Sequence, residues 1–183
     1  SANDYTTKTG TLTFSPGDQS QTIVISITDT DLVEWDETFL VNLPGLQTNG
    51  RNVVLGDTQA VITIHDNDQA AISINDTTID EDAGSVSITV SLDHPIDTSI
   101  SVDYATADQA ATSANDYTTT TGTLIFSPGD QLQTIVIPIT DTDLVEWDEI
   151  FLVNLSGLQT NGRNVELGDT QAVITIHDDD QAA

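Results

Sequence analysis

Residues Gly122–Thr140 read GTLIFSPGDQLQTIVIPIT and contain two runs in which apolar and polar side chains alternate. The side chains that share one face within each run are Leu124 and Phe126, then Ile135, Ile137 and Ile139. Alternation with a period of two is typical of a strand that buries one face. Between the runs, Ser127-Pro128-Gly129-Asp130 has the composition of a turn. The stretch therefore predicts two β-strands on either side of a tight turn.

The same alternation recurs on both sides of this stretch, and no helical period is present. The further strand candidates are residues 71–75, 85–92, 100–104, 149–155 and 172–177. Together with the two runs above they make about seven short strands separated by turn residues, which is the pattern of a sandwich. The sequence predicts an all-β fold, an immunoglobulin-like antiparallel β-sandwich, in tandem copies.

The tandem arrangement follows from an internal repeat. Residues 113–183 repeat residues 1–71 at an offset of 112, and the aligned residues differ at eight positions. Those positions are Lys8/Thr120, Thr13/Ile125, Ser20/Leu132, Ser26/Pro138, Thr38/Ile150, Pro44/Ser156, Val54/Glu166 and Asn67/Asp179. We expect residues 1–70 to be the C-terminal part, with the last four strands, of one repeat, and residues 71–183 to be a complete second repeat. Near-identical units indicate a tandem array.

The composition excludes several classes of function. Thirty acidic residues against three basic ones give a formal net charge of -27, which argues against nucleic acid and anionic membranes as partners. No apolar run approaches the roughly 18 residues of a membrane span, so membrane insertion is not expected. The chain has no cysteine, and a bound metal is one alternative staple to a disulfide.

Carboxylates are concentrated in Asp141–Glu149, DTDLVEWDE, where they make up five of nine side chains. The same nine residues occur at Asp29–Glu37. Such density at a strand junction requires either open water, as in a solvated turn, or a hard cation. Calcium takes about 6–8 oxygen ligands, and a chain with three histidines and no cysteine is poorly suited to zinc or copper.

The ordered motifs of the second repeat resemble those of a Calx-β domain. They are Gly122-Thr123-Leu124-x-Phe126-x-Pro128-Gly129-Asp130, Ile135-Val136-Ile137, Asp141-x-Asp143-x-x-Glu146-x-Asp148-Glu149-x-Phe151, Leu167-Gly168 and Ile174-Thr175-Ile176-x-Asp178-Asp179-Asp180. The resemblance implies a calcium site at one pole of the sandwich, and it implies an extracellular or cell-surface protein of bacterial type. The implied ligands are Glu81, Asp116, Asp141, Glu146, Glu149, Asp178, Asp179 and Asp180, with Asp143 as a further candidate. The corresponding candidates in the first repeat are Asp4, Asp29, Asp31, Glu34, Glu37, Asp66 and Asp68.

Three functions remain open at this stage. The first is a calcium-binding structural or adhesive module of an extracellular tandem-repeat protein or filament, in which Ca2+ rigidifies each domain and its junction. The alternative is a calcium-sensing regulatory domain, as the resemblance to exchanger domains implies. A carbohydrate-associated accessory module of a secreted enzyme is a weaker third. No nucleophile elbow or phosphate loop is present, so an enzyme is not expected.

Neighbouring copies of the same repeat are the expected partners. Residues 1–71 lack the first three strands of the repeat, so a set of apolar side chains would face nothing. The set is Leu12, Phe14, Ile23, Ile25, Phe39 and Val41. Strands from another copy, by strand exchange or in a filament, would cover them. Alternatively, residues 72–112 complete residues 1–71 and leave 113–183 open.

Overall fold

The computed structural model describes residues 4–181, which form two compact units. The first unit contains residues 4–31 and 37–64, and the second contains residues 32–36 and 65–181. The second unit therefore includes eleven residues, 32–36 and 65–70, that belong to the first repeat by sequence. These 178 residues contain no helix that is long and apolar enough to cross a membrane.

The first unit contains one antiparallel pair of strands, β1 (Glu37–Asn42) and β2 (Gln59–Ile64). Phe39 on β1 is buried and stacks on Tyr5, with ring centroids 4.0 Å apart. Within residues 4–31 and 37–64, the alternating runs 9–14 and 20–26 are not in regular strands. Of the six apolar side chains expected to face nothing, Leu12, Phe14 and Ile23 are exposed, whereas Ile25 and Val41 are half-buried.

The second unit is a sandwich of two sheets. Its strands are β3 (Ala70–Ile74), β4 (Thr77–Asp80), β5 (Ser85–Leu92), β6 (Ile100–Ala107), β7 (Thr121–Phe126), β8 (Leu132–Pro138), β9 (Glu149–Gln159), β10 (Val165–Leu167) and β11 (Gln171–His177). One sheet has the order β10-β3-β5-β8 and the other β4-β11-β9-β6-β7. The predicted all-β, immunoglobulin-like sandwich is confirmed.

The core lies between the inward faces of the two sheets. β5 and β8 run antiparallel with Ile88 opposite Ile135, and both side chains are fully buried. On the other sheet, Phe151 of β9 lies opposite Ile174 of β11, and both are again fully buried. The alternation in the sequence therefore assigns one face of each strand to the core, because successive side chains of a strand point to opposite faces.

The turn Ser127–Asp130 carries the chain from one sheet to the other. β7, before it, lies at the edge of the five-stranded sheet, and β8, after it, lies at the edge of the four-stranded sheet. Asp130 Oδ2 accepts a hydrogen bond of 2.9 Å from the amide of Ser127, and Gly129 takes a positive φ of 85°. The stretch that predicts two strands and a turn thus joins both layers of the sandwich.

Three features differ from the sequence prediction. β4 and β10 were not predicted, and they pair in parallel with β11 and β3, respectively. β9 continues to Gln159, four residues beyond the predicted end at 155. The alternative in which residues 72–112 complete residues 1–71 is wrong, because β3, β5 and β6 pair with strands of the second repeat.

Candidate metal site at one pole of the sandwich

Strand directions bring three acidic segments to one pole of the second unit. Ile176, near the end of β11, lies opposite Glu149, the first residue of β9, and His177 lies opposite Asp80 at the end of β4. The 3₁₀ turn Glu81–Ala83 follows β4 directly. The start of β9, the end of β11 and this turn therefore meet at the same end of the sandwich.

Carboxylates from all these segments surround one small cavity. Its lining residues are Glu81, Asp116, Glu146, Trp147, Glu149, Ile176 and Asp178. Carboxylate oxygens of Glu81, Asp178 and Asp180 all lie within 4.8 Å of one another, and Glu81 is buried. The backbone amide of Thr142 donates a hydrogen bond of 2.9 Å to Glu81 Oε1, which ties the acidic stretch after β8 to the 3₁₀ turn.

Two carboxylate oxygens of this cluster are buried without compensation. Among residues 4–181, neither Asp178 Oδ1 nor Asp180 Oδ2 has a hydrogen-bond partner. A buried polar atom that loses its water and gains no partner costs about 1–3 kcal/mol, and more when it is charged. The pole is therefore unfavourable as a set of bare anions and suited to a cation that would bind these oxygens.

The electrostatics of the cluster point in the same direction. Burial raises the pKa of Glu81, and the charges of Asp141 and Asp178 raise it further, against the lowering effect of the Thr142 hydrogen bonds. Burial also raises the pKa of Glu149, with Asp116 as the next contribution. Both shifts express the same fact, that a further negative charge is disfavoured here.

Burial likewise raises the pKa of Asp179 and of Asp180 in the acidic run that follows β11. For Asp179 the next contribution is the charge of Asp82, and for Asp180 it is the charge of Asp178. Asp82 was not among the predicted ligands. Its position in the acidic sequence Asp80-Glu81-Asp82 is the signal that could have indicated its contribution to the electrostatics of Asp178–Asp180.

A loop between β6 and β7 positions Asp116 at the cavity. Its Oδ2 accepts a hydrogen bond of 2.6 Å from the amide of Thr112, and the amide of Thr140 donates to its carbonyl oxygen at 2.9 Å. Asp108 supports the same loop by accepting hydrogen bonds from the hydroxyl of Tyr117 and the amide of Ser113. Burial, with Asp108 next, raises the pKa of Tyr117 to about 12. Sequence reasoning did not identify this supporting role of Asp108.

The remaining residues of the acidic stretch are more open to solvent. Asp141, Asp143 and Glu146 are exposed, although Glu146 lines the cavity. Asp148, which is also exposed, lies 2.6 Å from Nδ1 of His177 through its Oδ2. The structure therefore brings Glu81, Asp116, Glu146, Glu149 and Asp178 around the cavity and places Asp180 beside Glu81, with Asp141, Asp143 and Asp179 at the rim.

The first-repeat candidates divide between the two units. In the first unit, Asp4 is buried, with a carboxylate oxygen within 4.8 Å of one of Glu37, while Asp29 and Asp31 are exposed. Glu34, Asp66 and Asp68 belong to the second unit, where the amide of Glu34 donates to Asp66 Oδ2 at 3.3 Å.

The donor set at the second-repeat pole consists of oxygen atoms alone. Hard cations such as calcium prefer this set, and calcium tolerates irregular geometry, whereas zinc sites usually include nitrogen or sulfur. The partnerless oxygens of Asp178 and Asp180 fit a calcium ion, with Glu81 and Glu149 as the other carboxylates able to hold it.

A family model of the Calx-beta domain matches residues 1–68 and 65–180. The chain belongs to the Calx-beta domain family. Residues of this chain are 36% identical over 118 positions to mouse sodium/calcium exchanger 1, an alignment that covers 56% of this chain and 12% of the exchanger. The rat sodium/calcium exchanger 3 is 37% identical over 73 positions, which cover 40% of this chain and 8% of the exchanger. The chain thus spans only a small part of these relatives.

Solved structures of Calx-beta domains have the same fold. The apo form of the Calx CBD1 domain matches with a TM-score of 0.56 and 29% identity, over 62% of this chain and all of that domain. The calcium binding domain CBD12 of CALX1.1 matches with a TM-score of 0.56 and 30% identity, over 61% of this chain and 47% of that protein. The resemblance inferred from the motifs is confirmed.

Proposed function

We propose that the second repeat is a non-catalytic calcium-binding module that responds to calcium at its acidic pole. One observation carries the proposal: the buried, partnerless oxygens of Asp178 and Asp180 lie in a cluster with Glu81. A divalent cation would supply the missing partner and offset the repulsion among these carboxylates. Glu81, Glu149, Asp178 and Asp180 would hold the ion, with Asp116 and Glu146 at the same cavity.

A calcium-sensing regulatory role is the better supported of the two main hypotheses. The relatives named above include sodium/calcium exchangers and a protein described as a calcium binding domain. In a sensor, binding at the pole must change the order or position of a segment that another module contacts. We propose Asp141–Glu149 as this segment, because it is mostly exposed yet contributes Glu146 and Glu149 to the cavity.

A structural or adhesive role in a tandem array is the second candidate. The near-identity of the two repeats favours it, because a sensor does not require many copies of one sequence. In that role the ion would stiffen each domain and the junction after Asp178–Asp180. An extracellular or cell-surface location and a bacterial source stay predictions of the sequence.

The direct test is a calcium titration by isothermal calorimetry, with magnesium as the comparison ion. We expect calcium to bind the intact chain and the Asp178→Asn variant to lose most of that heat. Trp147 lines the cavity and provides a second readout, and Trp35→Phe leaves it as the single tryptophan of the two in the sequence. Calcium should then change its fluorescence. No heat and no fluorescence change at millimolar calcium would refute the proposal.

The two roles make different predictions for chain dimensions. Small-angle scattering in calcium and in chelator compares them in the intact chain. A longer and stiffer particle in calcium supports the array, whereas unchanged dimensions with altered amide resonances confined to the pole support a sensor.

A further inference from the structure

A short segment of the first repeat is seated on the second repeat. Residues 32–36 belong to the second unit, and Val33 within them is completely buried. The amide of Val33 donates to the carbonyl oxygen of Pro95 at 3.0 Å, and its carbonyl oxygen accepts from the amide of Asp97 at 3.2 Å. Val33 thereby forms a parallel bridge with Ile96, which is also fully buried. This is a minimal form of strand addition.

Trp35, which is 58% exposed, makes a second contact two residues later. Its ring lies over the guanidinium of Arg163, 4.3 Å from the carbon centre to the ring centroid, in a cation–π contact. Arg163 is buried and fixed by two hydrogen bonds to the carboxylate of Asp97. Gly162 permits the approach, because a Cβ at that position would lie 2.6 Å from the tryptophan ring. We call residues 95–97, 162 and 163 the acceptor surface.

The acceptor surface lies at the pole opposite the acidic cavity. Residues 95–97 follow the end of β5, and residues 162 and 163 follow the end of β9. The acidic cavity lies before β5 and at the start of β9. The second repeat therefore carries its own Leu-Val-Glu-Trp-Asp segment, residues 144–148, at the pole of the acidic cavity, and the surface that binds the first copy of this segment at the opposite pole.

Within residues 4–181, the second copy of the segment, residues 144–148, is not bound to an acceptor surface. Residues 144–148 repeat residues 32–36 without a difference, yet Leu144, Val145 and Trp147 are 62%, 55% and 90% exposed. Val33 in the seated copy is 0% exposed. An apolar cluster of this kind, left open by all the residues from 4 to 181, is typical of an interaction surface.

We propose that residues 144–148 dock onto the acceptor surface of a further copy of this repeat, with Val145 in the place of Val33 and Trp147 in the place of Trp35. The occupant is defined by the structure itself, because the identical sequence already occupies that surface once. A segment at one pole that binds a surface at the other makes a head-to-tail contact that does not close, so it adds copies in a line. This junction goes beyond calcium binding and does not require a bound ion.

In the intact chain the acceptor surface is filled by its own residues 32–36, so the test must vacate it. Val33→Asp does so, since a carboxylate cannot be buried against Ile96 without a partner. Val145→Asp disables the free segment instead. We compare the unchanged chain, each single variant and the double variant by sedimentation velocity, in chelator and again in calcium.

We expect Val33→Asp alone to form oligomers that grow with concentration, and Val33→Asp with Val145→Asp to sediment like the unchanged chain. Val145→Asp alone should not associate further. Equal sedimentation of Val33→Asp and the double variant overturns the proposal, and so does association that persists in the double variant, which would arise from other exposed surfaces.

If circular dichroism shows that Val33→Asp does not fold, the single variant Trp35→Ala replaces it. Its matched double variant combines Trp35→Ala with Trp147→Ala. Trp35→Ala should again associate more than its double variant. The difference should be smaller than with Val33→Asp, because Val33 still occupies part of the acceptor surface. Association by Trp35→Ala no greater than that of its double variant also overturns the proposal. A failed calcium titration leaves these outcomes unchanged, so the junction and calcium binding are tested separately.

Discussion

Arg163 and Arg51 occupy equivalent positions in the two repeats but lie in different environments. Arg163 is buried, and its Nε and Nη2 both donate to Asp97, whereas Arg51 is exposed. The planar guanidinium makes two parallel hydrogen bonds to one carboxylate, a geometry that lysine cannot reproduce. Arg163 thereby joins the loop after β9 to the loop after β5.

Arg163→Lys should therefore lower the free energy of unfolding of the second unit by about 2 kcal/mol, the scale of hydrogen bonds to charged groups. Arg51→Lys is the matched control and should change it by less than about 0.5 kcal/mol, as is usual for exposed sites. Urea denaturation followed by circular dichroism measures both. Equal midpoints for the two variants would contradict a stabilising role for the Arg163–Asp97 pair.

Glu81 combines burial with a place in the carboxylate cluster. Glu81→Gln should weaken calcium binding by at least roughly tenfold, because even residues that support metal ligands are worth 10–100-fold. In chelator the same variant should melt at a higher temperature, since it removes a buried charge near Asp141 and Asp178 while an amide oxygen still accepts from Thr142. Calorimetry and thermal melts measure the two effects.

The control for this variant is Glu166→Gln on β10, an exposed carboxylate where the first repeat has Val54. It should change neither quantity. A Glu81→Gln variant that binds calcium like the control would exclude Glu81 from the site.

At the scale of elements, β9 is the strand on which both the core and the metal site depend. It begins with Glu149 at the acidic pole and lies between β11 and β6 in its sheet. Phe151 is fully buried and stacks on Tyr117, with ring centroids 4.1 Å apart. Tyr117 follows Asp116 directly, so this stack links the core to a residue that lines the cavity.

Phe151→Ala should destabilise the second unit by about 3–5 kcal/mol, the usual cost of removing a buried aromatic ring. Its neighbour Ile150 points to the other face and is 36% exposed, so Ile150→Ala should cost well under half as much. Urea midpoints compare the two variants. Similar losses would mean that the inward face of β9 is assigned wrongly.

Strong alternation explains which elements could be predicted. β5 has the predicted bounds, 85–92, because four apolar side chains at alternating positions leave one possible inward face. β4 and β10 have four and three residues, too few for a period to be visible, and both are held by parallel pairing to strands distant in sequence.

The acidic pole could be predicted only in part, because strand spacing permits the acidic loops to share one pole and the candidate ligands were implied by the resemblance to a Calx-β domain. Glu81, Asp116, Glu149 and Asp178 line one cavity, and their role as calcium ligands stays a prediction. Residues 32–36 and 144–148 are identical in sequence, and yet Val33 of the first segment is buried beside Ile96, whereas Val145 of the second is exposed. Local pattern cannot distinguish the two, because the difference comes from a contact with another repeat.

For the whole molecule, the dominant quantity is a formal net charge of -27 on 183 residues. Repulsion of this size opposes compact structure, and cations relieve it. If calcium binds only the folded state, a concentration about 100 times the dissociation constant adds about 2.7 kcal/mol. The melting temperature of the second unit should then rise on the order of 10 °C, measured by scanning calorimetry. Magnesium at equal ionic strength is the control, and equal shifts with the two ions would indicate general screening.

The pH dependence of that effect follows from the raised pKa values at the pole. Glu81 and Glu149 have folded-state pKa values above the ordinary 4.5. At a pH between 4.5 and these raised values, the folded state therefore binds more protons than the unfolded state. Stability in chelator must therefore fall as the pH rises from about 4.5 through the raised values. Asp36 and Asp108 have lowered pKa values, so their contributions change below the ordinary 3.8 and outside this window.

Calcium should reverse the sign of this slope. The ion competes with protons for the same carboxylates, so its binding strengthens as they ionise, and stability in calcium should rise over the interval in which it falls in chelator. Thermal melts from about pH 4.5 to 7 in the two conditions measure the crossing. Glu81→Gln should flatten the slope in chelator, and Glu166→Gln should leave it unchanged. Parallel slopes in calcium and chelator would mean that the ion does not bind the carboxylates whose pKa values the fold raises.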